Sequence, residues 1–222
     1  MDVNAYIFGD DHVKNALGIQ LQAYLEKYKW GVKREGINSS TPNKWLKPVN
    51  LNKIKAAITE QTRLIIVSLG GAIPLGSGAK TKELGNKLVE LTSPHLGGVG
   101  KGNTHILWLG APPKTGKGGT SSVVETGGTY EARTDEERYK KNAEIQSALQ
   151  DNLGNSRFAY IDPIKNWEVY LPVYATLKKD NPDLDKWVKK KNGTIMQDWG
   201  AFEYIDNIVK NWAISFPNDP YL

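Results

Sequence analysis

The chain has 222 residues, of which 39% are hydrophobic and 24% charged, which excludes a disordered protein and supplies enough chain for one sizeable core. The net charge of +5 is scattered, with Lys189-Lys190-Lys191 and the lysines between 114 and 117 its densest points, so a solvated surface is expected and no nucleic-acid partner. With no cysteine there is no disulfide, no thiolate nucleophile and no thiolate metal site, and neither a metal nor a cofactor is expected.

Short apolar runs alternate with amphipathic stretches, the pattern of a parallel sheet covered by helices. Ala5-Tyr6-Ile7-Phe8 reads as the first strand, closed by Gly9. Leu17, Leu21 and Leu25 predict a helix over 13–28, and a second strand fits 31–34. Asn50 is placed to cap a helix carrying Leu51, Ile54 and Ile58. Leu64-Ile65-Ile66-Val67-Ser68-Leu69 is continuously apolar, as a central parallel strand should be. A helix is expected over 80–91, a glycine-rich loop over 96–102 and a strand over 105–109. A long Gly/Ser/Thr/Lys loop follows over 110–134. Thr134 and Glu137 then form a capping box opening a helix over 135–153. The fifth strand is 158–162. An irregular segment over 163–192, with a short helix near 184–190, precedes a last helix over 199–212 with Phe202, Ile205, Ile208 and Val209 at core spacing. No repeat or linker divides residues 1–222, which read as one domain.

Four blocks punctuate this pattern. Gly9-Asp10-Asp11-His12 resembles the Gly-Asp-Ser-His form of the GDSL block. Ser68-Leu69-Gly70-Gly71-Ala72-Ile73 resembles Ser-Leu-Gly-Gly-Asn-Asp, and Trp108-Leu109-Gly110-Ala111-Pro112-Pro113 resembles a Trp-hydrophobic-Gly-Pro-Pro turn. Asn192-Gly193-Thr194-Ile195 resembles the start of an Asp-Gly-x-His block. Together they are similar to the SGNH/GDSL hydrolase family. The resemblance implies a three-layer α/β/α, flavodoxin-like domain with a parallel sheet of about five strands. It places the nucleophile position at Asp11, the oxyanion glycine at Gly36, the oxyanion asparagine at Ala72, the triad aspartate at Asn192 and the triad histidine at Ile195. Serine acyl transfer needs a hydroxyl beside a base, and neither Asp11 nor Ile195 supplies its part. The expectation from sequence is therefore a protein that is not an enzyme, with Asp10 structural and Asp11 satisfying amides at a helix N-terminus.

Small domains of this kind resemble phage accessory proteins. That implies a virion decoration, cement or surface-attachment subunit whose partners are other protein subunits. A carbohydrate-binding pseudoenzyme and an esterase or deacetylase with a rearranged site are the alternatives. Trp167, Tyr170, Tyr174 and Trp187 fall in the irregular segment, where an aromatic ledge would suit protein hot spots or the sugar rings of a cell-surface glycan. The stretch 111–118 approaches a phosphate loop, but Gly118 stands where a Ser or Thr would hold magnesium. Met1-Asp2-Val3-Asn4 opens no signal peptide and no apolar run spans a bilayer, so a soluble chain of the virion or cytoplasm, without membrane contact, is expected.

Overall fold

The computed structural model describes residues 4–69, 75–111 and 132–162. Five strands, β1 (Ala5–Gly9), β2 (Val32–Gly36), β3 (Leu64–Ser68), β4 (His105–Leu109) and β5 (Phe158–Ile161), form one sheet in the order β2-β1-β3-β4-β5. Every neighbouring pair is parallel, with Ala5 opposite both Val32 and Leu64. The expected parallel five-strand α/β sheet is therefore present, and β4 has the predicted limits.

Strand alternation divides the core in two. Ala5, Ile7, Leu64, Ile66, Leu107 and Leu109 face one way and meet α2 (Ala16–Lys27) through Leu17, Leu21 and Leu25. Each of these three leucines is 2% exposed, and burying each contributes about 1.5–3 kcal/mol. Tyr6, Phe8, Ile65, Val67, Ile106 and Trp108 face the other way. They are covered by α3 (Pro42–Trp45), α4 (Pro48–Ala57), α5 (Gly78–Thr92), α6 (Ala132–Ala148) and α7 (Gln150–Leu153). Helices on both faces of the sheet make the three-layer architecture.

Several helix limits differ from the sequence expectation. The helix expected over 13–28 is two: α1 (Asp11–Lys14), then an extended Asn15, then α2. At the break Asn15 is extended, and the Asp11 carbonyl accepts both its backbone N–H at 3.1 Å and its side-chain amide at 2.6 Å. Asn50 does not cap a helix. Pro48 opens α4, because a proline at the first helical position gives up no hydrogen bond, and Asn50 lies inside it, donating from its amide to the Lys44 carbonyl. The short α3 was not foreseen, although Thr41-Pro42 is a cap followed by proline. Thr134 is no N-cap, since α6 already starts at Ala132, and a break at Leu149 separates α7.

The glycine-rich loop after α5 has a structural task. Gly98, Gly100 and Gly102 donate their N–H groups to the carbonyls of Ser93, Leu91 and Thr92, and so satisfy carbonyls at the end of α5. A side chain at Gly98 would collide with the Glu90 and Leu91 carbonyls. No described helix is long and apolar enough to cross a membrane.

Candidate active site

The chain winds from β1 to β2 on one side and to β3 on the other. In open parallel sheets, that reversal leaves a crevice beyond the carboxyl ends of the two central strands. The turn after β1 enters it. Asp10 N–H donates to the Ser68 carbonyl at the end of β3, at 3.0 Å. A Cβ at Gly9 would strike that same carbonyl, so only glycine allows β1 and β3 to end this close together.

Asp10, 1% exposed, is the N-cap of α1. Its Oδ1 accepts from the His12 backbone N–H and lies 3.0 Å from His12 Nδ1, also buried. The capping role expected of Asp11 therefore belongs to Asp10. Asp11 sits one residue further on, half-buried, in the first turn of α1, where the helix end favours negative charge. Its Oδ2 accepts from the Ser39 N–H at 2.8 Å.

Ser39 belongs to the turn after β2. Ile37 N–H and Ser40 Oγ both donate to the Gly9 carbonyl, at 3.0 and 2.9 Å, and Trp45 Nε1 donates to Ser40 Oγ at 3.0 Å. Ser40 and Trp45 are each 0% exposed. Ser39 has φ of 49°, a left-handed conformation that is uncommon for a residue with a side chain. Gly36 ends β2 directly under α1, and a Cβ there would collide with the backbone of Lys14. The glycine is thus needed to let the helix bearing Asp11 close on β2.

A second polar cluster ties β4 to β5 at the same end of the sheet. Asn142, 0% exposed, accepts from Ala111 N–H at 2.7 Å and donates to the Ala111 carbonyl at 3.0 Å and to Asp162 Oδ1 at 3.1 Å. Tyr160 OH donates to the Asn142 carbonyl at 3.2 Å. Burial, and then the Asp162 charge, push the Tyr160 hydroxyl far above its ordinary value. An open depression of about 320 Å³ between α5 and α6 is lined by Lys82, Glu144 and Asp151 but by none of the residues around Asp11. Among the described residues no three His, Asp or Glu side chains come together in a way that could hold a metal ion.

Of the positions singled out in the sequence, the structure places Asp11 in the first turn of α1 and Gly36 at the end of β2, against Lys14 at the other end of the same helix. Ala72, Asn192 and Ile195 lie outside the described residues, as do Trp167, Tyr170, Tyr174 and Trp187. Nothing in the sequence marks Ser39, Ser40 or Asn142 as part of the site, and Trp45 reads there as a core residue, which it is.

No family model matches the chain, and no curated protein does. Solved structures do. A carbohydrate acetylesterase family member from Sinorhizobium meliloti has a TM-score of 0.58 at 13% identity, covering 97% of this chain and 100% of that one. The fold is that of the SGNH-type hydrolases. The Bacillus subtilis protein YXIM has a TM-score of 0.57 at 11% identity, over 97% of this chain and 58% of that one. A peptidoglycan O-acetylesterase has a TM-score of 0.45 at 18% identity, and the match covers 82% of this chain but only 46% of that one. The chain thus spans about half the length of that esterase. The expectation that the chain is not an enzyme is corrected here. Its fold is shared with an acetylesterase, and the described residues contain no lost triad, since three of the positions behind that expectation lie outside them.

Proposed function

We propose that the chain is an ester hydrolase of the deacetylase kind, acting on O-acetylated carbohydrate, with a rearranged site in which Asp11 is the reacting carboxylate. The observation that carries this is the Asp11 carboxylate itself. It is half-exposed beside the β1/β3 switch point, at a helix start, and held by the Ser39 N–H at 2.8 Å. The acetylesterase fold supports the reaction class.

A carboxylate in this position works as a general base. Asp11 takes one proton from a water molecule, and the resulting hydroxide adds to the acetyl carbonyl carbon. The tetrahedral intermediate then breaks its bond to the sugar oxygen. That oxygen leaves with the proton returned from Asp11, releasing the free hydroxyl and acetic acid, which gives its proton to the solvent and departs as acetate. No acyl-enzyme is formed, so the route needs no serine. The Ser39 N–H occupies Oδ2, and Oδ1 is the oxygen that takes the proton.

The test is acetate release from O-acetylated oligosaccharides by the purified chain, beside Asp11→Asn and Asp11→Ala. General-base catalysis of this kind contributes about 10²–10⁴-fold, so both variants should lose that much of kcat. Turnover no faster than buffer, or an Asp11→Asn enzyme as fast as wild type, would refute the proposal.

A further inference from the structure

The carboxylate of Asp11 has, among the described residues, one hydrogen-bond donor, the Ser39 N–H. A helix of four residues does little to fix the direction of a side chain in its first turn. What fixes the donor is therefore worth tracing. Ser39 holds a left-handed φ of 49°, which persists only where the surroundings over-determine it. The surroundings do. Ile37 N–H and Ser40 Oγ converge on the Gly9 carbonyl, Ser40 N–H donates to the Ile37 carbonyl at 3.2 Å, and Trp45 Nε1 holds Ser40 Oγ from behind. Trp45 is in turn wedged against Phe8 of β1, with ring centroids 4.7 Å apart. The relay thus starts on the rigid central strand and ends on Asp11.

We propose that the turn over 37–41 is a positioning device in which Ser40 and Trp45, both fully buried, act through the Ser39 N–H to aim the Asp11 carboxylate. Its consequence for turnover rests on the ester-hydrolase reading, while the positioning itself does not. Ser40 and Trp45 touch no reacting atom. Their hydrogen bond holds Ser39 in a conformation it would otherwise leave, and leaving it turns the N–H away from Asp11. A reacting group displaced by about 1 Å can cost about 100-fold in rate, so the relay acts on kcat and not on substrate affinity.

The experiment uses the full chain, isotopically labelled, as wild type, Ser40→Ala, Trp45→Phe and Ser40→Thr. Two quantities are read: amide hydrogen exchange at Ser39, and kcat and KM for acetate release from O-acetylated oligosaccharide. In Ser40→Ala and Trp45→Phe the Ser39 amide should exchange at least about tenfold faster while β1 and β3 amides stay protected. In both, kcat should fall by about tenfold or more with KM within about twofold, and Ser40→Thr, which keeps the hydroxyl, should recover both readouts. Trp45→Phe keeps the ring contact with Phe8, so the test survives if Ser40→Ala does not fold. An unchanged Ser39 amide in Trp45→Phe overturns the positioning role, and an unchanged kcat beside a loosened amide overturns its consequence for turnover. A loosened Ser39 amide in a protein that hydrolyses no ester supports the positioning role and defeats the ester-hydrolase reading.

Discussion

Replacing Asn142 with alanine isolates the cluster that joins β4 to β5. The substitution removes three hydrogen bonds from a side chain with no solvent exposure: Ala111 N–H to Oδ1, and Nδ2 to the Ala111 carbonyl and to Asp162. Ala111 is itself 0% exposed, so water cannot replace the lost partner without opening the site. Each buried backbone group left unsatisfied costs about 1–3 kcal/mol, and Ala111 loses a partner for both its N–H and its carbonyl. The expected destabilisation is about 4 kcal/mol, discounted toward the lower end if Ala111 relaxes. With an m-value of about 2–3 kcal/mol/M for a chain of this size, the urea midpoint should fall by roughly 1.3–2 M. The assay is equilibrium urea unfolding followed by tryptophan fluorescence, with Trp108 of β4 as a nearby reporter. A loss below about 1 kcal/mol at unchanged m would show that the Asn142 bonds are replaced without cost, and the clamp assigned to it would not exist.

Two further outcomes test the frame around the site. Tyr6 is 0% exposed and donates to Glu35 Oε2 at 2.6 Å; burial first, and then the Glu35 hydrogen bond and charge, push its hydroxyl far above the ordinary tyrosine value. The neutral form is thus favoured by folding. Its stabilisation is fully present below the unfolded value of about 10 and is lost as pH rises beyond it, at about 1.4 kcal/mol per pH unit. Tyr6→Phe should make the stability curve flatter by that slope between about pH 10 and 11, and parallel curves would refute the assignment. Gly9→Ala should destabilise by about 3 kcal/mol or more, because its Cβ meets the Ser68 carbonyl and Val13 Cγ2. Gly154→Ala, where the nearest atom to a new Cβ is the Asp151 carbonyl oxygen at 3.4 Å, should stay within about 0.5 kcal/mol of wild type. Chemical denaturation of the pair checks both.

What the sequence disclosed, and what it hid, follows from the range of the interactions involved. β3 and β4 were legible because a strand buried on both faces must be apolar throughout, and Leu64–Ser68 and His105–Leu109 nearly are. The break at Asn15 was not, since Leu17, Leu21 and Leu25 keep one helical phase while a single extended residue separates α1 from α2. Asn50, expected to cap α4, lies inside it, because Pro48 opens that helix. At the site, Asp11 could be picked out because it falls in the block 9–12, and Gly36 because the family resemblance gives it a counterpart. Ser39, Ser40 and Asn142 could not: Ser39 reaches Asp11 across 28 residues, Ser40 reaches Gly9 across 31, and Asn142 reaches Ala111 across 31. Contacts of that span leave no local periodicity. The substitutions at Ala72, Asn192 and Ile195 misled in the opposite way, because a missing serine-type constellation argues against one mechanism and not against hydrolysis.

The strand order also bears on how the molecule is assembled. β2 lays itself on one edge of β1, β3 on the other, β4 on β3 and β5 on β4. A chain made from β1 onward therefore never has to open a finished strand pair to admit a later one, and each new strand meets an edge that already exists. The Asp11 carboxylate and its Ser39 donor belong to the first two strands and the turns that follow them. The contact between the Asp11 carboxylate and the Ser39 N–H is therefore local to the β2-β1 edge of the sheet and needs neither β4 nor β5.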